Sequence, residues 1–336
     1  MKALVTGGAG FIGSHLVDAL MERGYHVIVL DNLSSGRLNN IGRWFDSRNF
    51  KFFRVDLRLF SDVLNVIRDE EIDVIFHLAA NPSVRIGERT PGELFEDNVI
   101  TTYSVLELAR LKDVKAVIFT SSSTVYGDAK VLPTGEECVL EPISVYGATK
   151  VAGEAMVSAY AYTFGLKGLS LRLANIVGSR CHHGVIYDFI MKLSKNAKEL
   201  EILGDGTQKK SYLHVSDCIR AILMTTEVHL KSNRIYDVFN VGNDDWITVK
   251  EIADIISKVM GLKEVTYRFT GGVDGGRGWR GDVKFMLLST EKLKRLGWRP
   301  RLSSRKAVEL AAIELVKELG VHRSVKSRPS RTHCLL

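Results

Sequence analysis

A glycine-rich turn near the N-terminus constrains the fold of this chain more than any other stretch. The sequence TGGAGFIG connects a short apolar run, Lys2–Thr6, to an amphipathic stretch, Phe11–Arg23. Gly7, Gly10 and Gly13 form a GxxGxxG pattern. In such a pattern the first glycine permits a tight turn, the second admits a pyrophosphate and the third allows a helix to pack closely on the strand. The N–H groups and positive dipole end of the following helix favour a diphosphate. The pattern therefore predicts a strand–turn–helix unit that binds a dinucleotide.

A carboxylate after the second apolar run indicates which dinucleotide binds. Asp31 directly follows His26–Leu30, at roughly the 20-residue spacing from the glycines that ribose-binding acids have. A carboxylate at this position accepts hydrogen bonds from the ribose diol of NAD and repels the 2′-phosphate of NADP. The alternative is that Asp31 is a simple turn residue. We predict NAD as the cofactor.

Short apolar runs alternate with longer amphipathic stretches through the first half of the chain. This alternation is typical of a parallel sheet with helices on both faces and right-handed crossovers. We predict an α/β fold with a Rossmann-type doubly wound parallel sheet in residues 1–175. A smaller α/β C-terminal substrate-binding region should occupy residues 176–320, with part of it crossing back to the sheet edge. The predicted strands are Lys2–Thr6, His26–Leu30, Lys51–Val55, Val74–Leu78, Ala116–Thr120 and Leu169–Leu173. The predicted helices lie near Phe11–Arg23, Glu93–Arg110, Tyr146–Phe164, Val185–Lys195, Thr248–Met260 and Ser303–Leu319.

The net charge of +7 raises the question of a nucleic-acid partner. Residues 321–336 hold four of the Lys and Arg side chains and no acid, so the rest of the chain carries only a mild excess. A basic tail alone is a weak electrostatic signal, and we predict no nucleic-acid partner. The composition of the tail predicts disorder. No run approaches the roughly 18 apolar residues that a membrane span needs, so no membrane association is predicted.

Cysteine and histidine usage argues against disulfides and metals. The four cysteines lie far apart without a CxxC pair, which favours reduced thiols in a cytoplasmic protein. The adjacent Cys181, His182 and His183 lack a further ligand at helical spacing, so no metal site is predicted. His77 ends a buried apolar run and is predicted to be a hydrogen-bonded core histidine.

A tyrosine and a lysine at helical spacing form the candidate catalytic group. In YGATK, Tyr146 and Lys150 stand four residues apart, on one face of a predicted helix. A tyrosine titrates near about 10, too high for a base at neutral pH. A neighbouring ammonium and the positive charge of an oxidised nicotinamide both favour the phenolate. Together with the glycine turn and the hydroxyl run TSSSTVYG between them, the pair predicts an active site.

Seven motifs, in this order, resemble the extended short-chain dehydrogenase/reductase family. They are TGGAGFIG, DNLSSG, FHLAA, TSSSTVYG, YGATK, GDGTQKKSYLHVSD and GDVKF. The similarity covers about residues 1–319 and is closest to the UDP-glucose 4-epimerase group of that family. It implies permanently bound NAD, a UDP-hexose substrate and epimerisation at C4 through a transient 4-keto sugar. It also implies a homodimer that pairs helices near residues 98–110 and 148–164, with Tyr103, Val151, Ala155 and Tyr160 as candidate seam residues.

The resemblance implies roles for individual residues. Tyr146 removes the proton from the sugar 4-hydroxyl, Lys150 holds the nicotinamide ribose, and Ser122 completes the hydrogen bonding around O4. Ser123 and Thr124 stand where the related dehydratases carry an acidic pair, which favours epimerisation over dehydration. The implied cofactor-binding residues are Gly7, Gly10, Phe11, Ile12, Gly13, Asp31, Asn32, Asp56, Leu57, Leu78, Ala79, Ala80, Asn98, Ser121, Tyr146 and Lys150. The implied substrate-binding residues are Ser122, Ser123, Tyr146, Asn175, Val185, Ile186, Leu203, Lys210, Tyr212, Arg277 and Asp282.

Departures from the family pattern leave alternatives open. Lys210 stands where many relatives have arginine, and a lysine meets phosphate only as a point charge. Trp279 also replaces an arginine, which leaves Arg277 or Arg280 to bind the diphosphate; the Gly-rich setting favours Arg277. Met286, at a position that governs access of N-acetyl sugars, is flexible and intermediate in size. The alternatives are therefore an epimerase or 4-reductase for another nucleotide sugar, such as a UDP-N-acetylhexosamine, and a non-catalytic dinucleotide-sensing protein. The sensor is disfavoured because it would usually lose the tyrosine or the lysine.

Overall fold

The computed structural model describes residues 1–321, so the predicted disordered tail, residues 321–336, lies outside the described residues apart from Val321. The strands are β1 (Lys2–Thr6), β2 (His26–Asp31), β3 (Phe50–Arg54), β4 (Val74–His77), β5 (Ala116–Ser122), β6 (Lys167–Leu173), β7 (Asn175–Val177), β8 (Glu199–Ile202), β9 (Lys209–Lys210), β10 (Tyr212–His214), β11 (Tyr236–Val241), β12 (Ile247–Thr248), β13 (Thr266–Phe269) and β14 (Phe285–Met286). The α-helices are α1 (Phe11–Glu22), α2 (Phe60–Val66), α3 (Pro91–Phe95), α4 (Thr101–Leu111), α5 (Val145–Phe164), α6 (Gly184–Lys195), α7 (Val215–Lys231), α8 (Val249–Val259), α9 (Glu291–Lys294) and α10 (Ser304–Glu318). Short 3-10 helices cover Leu38–Asn40, Gly42–Trp44, Val84–Glu88 and Ser123–Tyr126, and a π-helical turn covers Glu96–Ile100.

Seven strands form the central sheet, in the order β11-β6-β5-β4-β1-β2-β3. Every pair is parallel. The chain winds outward in both directions from β1, so the neighbours β1 and β4 mark the switch point of the sheet. In such sheets ligands bind beyond the carboxyl ends of the strands at this point. The predicted Rossmann-type sheet is confirmed.

Helices cover both faces of the sheet, which explains why its strands are nearly continuous apolar runs. Successive residues of a strand point to opposite faces. Leu4 accordingly lies in a core shared with α2, α4 and α5, and Val5 lies in a second core shared with α1 and α7. Each such buried side chain contributes about 1.5–3 kcal/mol. The two cores hold the carboxyl ends of β1, β4 and β5 in fixed positions.

The C-terminal half adds a third core of its own. Helices α6, α8 and α10 pack together around short strands that form three small sheets. The chain nevertheless returns to the central sheet, because α7 packs in the core of α1 and β11 pairs with β6. The boundary drawn at residue 175 falls on the first residue of β7 and stays a prediction.

The predicted strand bounds are confirmed to within two residues, and every predicted helical stretch is helical in the structure. The stretch Glu93–Arg110 is helical as predicted, but it contains a π-helical turn at Asn98, whose side chain bonds outside the helix to Asn81 and Thr149. Helix α7 was not predicted at all. Helix α7 begins directly after β10 with no turn residue between them, so no local sequence signal separates the strand from the helix.

Candidate active site

The candidate site lies beyond the carboxyl ends of β1, β4 and β5. The glycine turn follows β1 and leads directly into α1. Gly7 has a φ of +69°, and a Cβ added there would lie 2.8 Å from the N atom of Ala79. A Cβ on Gly13 would lie 2.1 Å from the carbonyl oxygen of Gly7. Gly10 precedes α1 without a side-chain cap, so the N–H groups that begin this helix remain available to a diphosphate. The turn fits a dinucleotide.

Asp31 presents a carboxylate beside this turn. Its Oδ2 accepts a hydrogen bond from the Ala9 N–H at 3.0 Å and its Oδ1 one from the Leu33 N–H at 2.8 Å. Burial raises the pKa of this carboxyl, while these two backbone donors oppose the shift. Each oxygen keeps lone-pair capacity that a ribose diol can use. The geometry fits the predicted role of Asp31 as a ribose ligand.

The other predicted cofactor residues lie on separate segments around the glycine turn. Phe11 and Ile12 begin α1 and are half-buried, and Leu78, Ala79 and Ala80 follow β4 beside Gly7. Asn32 hydrogen-bonds Asp56, whose pKa is lowered chiefly by its bond to Arg58, and Leu57 is buried. The adenine role given to Asp56 and Leu57 stays a prediction.

A buried hydrogen-bond chain connects the glycine turn to α5. Nδ1 of His77 lies 2.8 Å from Oγ1 of Thr6, and Nε2 lies 3.0 Å from Oγ1 of Thr102. Thr102 donates to the carbonyl oxygen of Asn98 at 2.6 Å, and the Asn98 amide donates to Thr149 at 3.0 Å. Burial and then the charge of Lys150 lower the pKa of His77 to about 3. His77 is therefore a neutral core histidine, as predicted.

The structure brings Tyr146, Lys150 and Ser122 together. Tyr146 and Lys150 occupy the first two turns of α5, and Ser122 ends the adjacent strand β5. The Lys150 ammonium donates to the carbonyl oxygen of Thr120 at 3.0 Å and lies 5.8 Å from the centre of the Tyr146 ring. The Ser122 hydroxyl accepts hydrogen bonds from the N–H and the hydroxyl of Thr124. This group can hold a proton at a phenol oxygen and move it.

The pKa values of Tyr146 and Lys150 differ from the sequence-based expectation. Burial raises the pKa of Tyr146 to about 12, and a hydrogen bond with Ser122 only partly opposes this shift. Burial also lowers the pKa of Lys150 to about 8, against the raising effect of the Glu154 carboxylate. Lys150 makes no direct hydrogen bond to Tyr146 in the described residues, so the ammonium alone does not bring the phenol toward neutral pH.

Several predicted substrate residues are already engaged within the chain. The Arg277 guanidinium pairs with both oxygens of the Asp128 carboxylate at 3.0 and 2.8 Å, and it also donates to the carbonyl oxygen of Asp282. Lys210 pairs with the Asp282 carboxylate at 2.6 Å. Arg280 is exposed. The choice of Arg277 as the diphosphate ligand stays a prediction, and it would require Arg277 to exchange or share its Asp128 partner.

The remaining predicted substrate residues differ in how far their side chains are exposed. The side chains of Ile186 and Tyr212 pack in the core of α6, α8 and α10, and their role as substrate ligands stays a prediction. Asn175 donates to the carbonyl oxygen of Ser211 at 3.2 Å. Val185 and Leu203 are half-buried, and Ser123 is buried in its 3-10 turn.

Sequence reasoning missed a buried ion pair behind the site. Arg172 on β6 and Glu154 on α5 pair at 2.7 Å, and both side chains are almost fully buried. Ser121, predicted as a cofactor residue, donates its hydroxyl to Glu154. The sequence offered one signal for this ion pair, the four-residue spacing that places Glu154 on the same helix face as Lys150. That signal was not specific, because acids are common on helices and the partner of Glu154 is determined by the fold.

Two further kinds of site were sought in the described residues. Within residues 1–321, no three His, Cys, Asp or Glu side chains are grouped closely enough to hold a metal ion. Over the same range, no helix combines the length and apolar character that a membrane crossing requires.

Comparisons with known proteins agree with this geometry. Residues 3–242 match the family described as the NAD dependent epimerase/dehydratase family. A crystal structure of a UDP-galactose 4-epimerase is 46% identical, with a TM-score of 0.85 over 95% of this chain and 100% of that one. The UDP-glucose 4-epimerase of Thermotoga maritima, solved with UDP-glucose, is 35% identical, with a TM-score of 0.83 over 95% of this chain and 100% of that one. The UDP-glucose 4-epimerase of Mycolicibacterium smegmatis is 32% identical over 90% of this chain and 95% of its own.

Proposed function

Because the chain belongs to the NAD dependent epimerase/dehydratase family, we propose that it inverts C4 of a UDP-hexose and interconverts UDP-glucose and UDP-galactose. The observation that carries this proposal is the convergence of Tyr146, Lys150 and Ser122 at one end of the sheet. The cofactor would be held by the glycine turn, the N-terminus of α1 and the Asp31 carboxylate. When bound, NAD supplies the reversible hydride acceptor for C4 of the sugar.

The chain's own residues supply the proton chemistry. Burial raises the pKa of Tyr146 to about 12, so its phenol must give up its own proton before the phenolate can take the proton of the sugar 4-hydroxyl and later return it. Its phenolate becomes accessible when positive charge from Lys150 and from oxidised NAD faces it. Ser122 orients O4 from the other side.

The residues beside Ser122 support epimerisation over dehydration. Water loss from the sugar needs an acid and a base beside the reacting carbons, whereas epimerisation needs only the group at O4. Ser123 and Thr124 carry hydroxyls, and both belong to the 3-10 turn that Ser122 caps. Glu154, the carboxylate bonded to Ser121, is fully engaged with that serine and Arg172.

The substrate is tested by NMR of the purified protein incubated separately with UDP-glucose and with UDP-N-acetylglucosamine, without added cofactor. We expect UDP-glucose to equilibrate with UDP-galactose, because retained NAD is regenerated in each turnover. Conversion of only UDP-N-acetylglucosamine would contradict the proposed substrate. It would indicate an epimerase for UDP-N-acetylhexosamines, the alternative that Met286 leaves open. In a separate assay with NADH added, its stoichiometric consumption would contradict epimerisation and indicate a reductase.

We also propose that two copies pair through α4 and α5. Ala148, Ala152, Ala155, Ala159 and Tyr162 recur at alternating steps of four and three along α5, and this stripe is largely exposed. Tyr103 on α4 and Tyr162 on α5 expose 47% and 70% of their area. Small residues at such spacing let two helices approach closely. Val151 and Tyr160, the other predicted seam residues, are half-buried, and Tyr160 donates to Glu107.

Ala155→Glu should convert the protein to a monomer, because the substitution places a charge in the middle of this stripe. Sedimentation velocity on the holoenzyme measures the change. Ile313→Glu is the matched control, since it introduces the same charge at an exposed apolar residue of α10. A dimer that persists in Ala155→Glu, or one that is lost in Ile313→Glu, would contradict pairing through α4 and α5.

The cysteines support a cytoplasmic location for the enzyme. Cys138, Cys181 and Cys218 form no disulfide with one another, and burial raises the pKa of the thiols of Cys181 and Cys218. Unpaired thiols of this kind persist in a reducing compartment.

A further inference from the structure

We propose that Glu154 and Arg172 form a positioning pair that sets Ser122 on β5 against Tyr146 and Lys150 on α5. This inference rests on the proposed epimerisation and adds to it two residues that touch neither substrate nor cofactor.

The Glu154 carboxylate joins three elements of the fold. It accepts hydrogen bonds from the Ser121 hydroxyl of β5 at 2.5 Å and from Nε and Nη2 of Arg172 of β6 at 2.9 and 2.7 Å. The side chains of Glu154 and Arg172 are only 5% and 6% exposed. A forked arginine–carboxylate contact fixes direction as well as distance. Glu154 therefore aligns α5 with both strands beneath it.

Two neighbouring residues of β5 are bonded to two successive turns of α5. The Thr120 carbonyl accepts from Lys150, and the Ser121 hydroxyl donates to Glu154, one turn further along the helix. Ser122 is the next residue of the strand, and Tyr146 lies one turn before Lys150. The two bonds together set the spacing between Ser122 and Tyr146, and loss of the second would allow α5 to shift against the end of β5.

The far end of the hydroxyl run is held by the same arginine. Nη1 of Arg172 donates to the Tyr126 hydroxyl at 2.7 Å and to the carbonyl oxygen of Glu136 at 2.9 Å. The Tyr126 hydroxyl in turn donates to Oδ1 of Asn240 at 2.8 Å. Ser122 thus stands between Ser121 and Tyr126, which are both bonded to the ion pair.

The pair also acts on the charge of Lys150. The Glu154 carboxylate favours the ammonium form, against the burial that lowers the lysine pKa. Tyr146 on the same helix and His77 from β4 also lie near Lys150; His77 stays neutral, and Arg172 from β6 lies beyond Glu154. Replacing a buried ion pair by apolar residues of similar volume is often neutral or stabilising for the fold, which agrees with a positioning role for this pair.

The test uses Glu154→Gln and the double variant Glu154→Gln/Arg172→Gln, both as NAD-loaded full-length protein. The double variant leaves no uncompensated buried charge, so it remains informative if the single variant does not fold. We expect kcat to fall about 10–100-fold with KM nearly unchanged, because small misplacements of reacting groups cost about this much. We also expect the alkaline fall of kcat/KM to move to lower pH, since Lys150 loses the carboxylate that favours its charge.

The control is Asp217→Asn, which removes a carboxylate that is also buried and paired with an arginine, Arg220, but lies on α7. It should lower the thermal stability and leave the pH profile of kcat/KM in place. A folded Glu154 variant, single or double, that keeps the wild-type kcat and alkaline limb would overturn the proposal.

A readout without substrate separates this inference from the proposed function. Hydrogen–deuterium exchange of the NAD-loaded protein should become faster in residues 120–127 of the Glu154 variants and stay unchanged there in Asp217→Asn. If the wild type converts no UDP-sugar, the epimerase proposal fails, while unchanged exchange in the Glu154 variants would count against the positioning pair alone.

Discussion

Tyr146→Phe is expected to lower turnover about 100–10,000-fold, the range that loss of a general acid–base group costs, while NAD stays bound. The substitution removes only the hydroxyl that shares a hydrogen bond with Ser122 and leaves the ring in place near Lys150. Turnover is measured by NMR with UDP-glucose, and bound NAD by its absorbance after release from the dialysed protein.

Tyr162→Phe is the matched control for this substitution. It lies on the same helix, exposes 70% of its area and should leave turnover unchanged. Loss of NAD from Tyr146→Phe would mean that the phenol holds the cofactor and does not move the proton, which would contradict the assigned role.

Gly13→Ala is expected to abolish NAD binding and to lower the free energy of unfolding by about 1–3 kcal/mol, the usual cost of overpacking. The added Cβ would lie 2.1 Å from the Gly7 carbonyl oxygen and 2.9 Å from Gly8 Cα, both backbone atoms that cannot rotate away. Relief requires α1 to move off the turn, which removes its N–H groups from the diphosphate. Calorimetry with NAD and urea unfolding measure the two effects.

Gly42→Ala provides the comparison, because a Cβ at Gly42 meets nothing within 4 Å. It should keep both NAD affinity and stability close to the wild type. Normal NAD binding by Gly13→Ala would contradict the placement of the dinucleotide at this turn.

The sequence was sufficient to predict the elements that bear a local pattern. The strands of the central sheet are apolar because helices cover both faces of the sheet. For this reason β1 to β6 could be recognised in the sequence as short apolar runs. The glycine turn could be placed because its spacing, the strand before it and the helix after it all lie within about twenty residues. The proximity of Tyr146 and Lys150 was predictable because both lie on one helix, four residues apart.

Contacts between distant segments could not be predicted in the same way. Arg277 was expected to be free for a diphosphate, but its partner Asp128 lies in a loop that only the fold brings near. Arg172 and Glu154 likewise come from different elements. The pKa of Tyr146 is raised by burial in the folded chain, and the hydrogen bond with Ser122 only partly opposes this shift.

The position of β11 at the edge of the sheet has a consequence for biosynthesis. β6 ends at Leu173, but its outer neighbour β11 is complete only at Val241. At roughly 5–20 residues per second, a ribosome exposes the unpaired edge of β6 for several seconds before β11 emerges. An open strand edge of this kind can pair with other chains. The nascent chain therefore passes through a period in which the outer edge of β6 is unpaired and can pair with other chains.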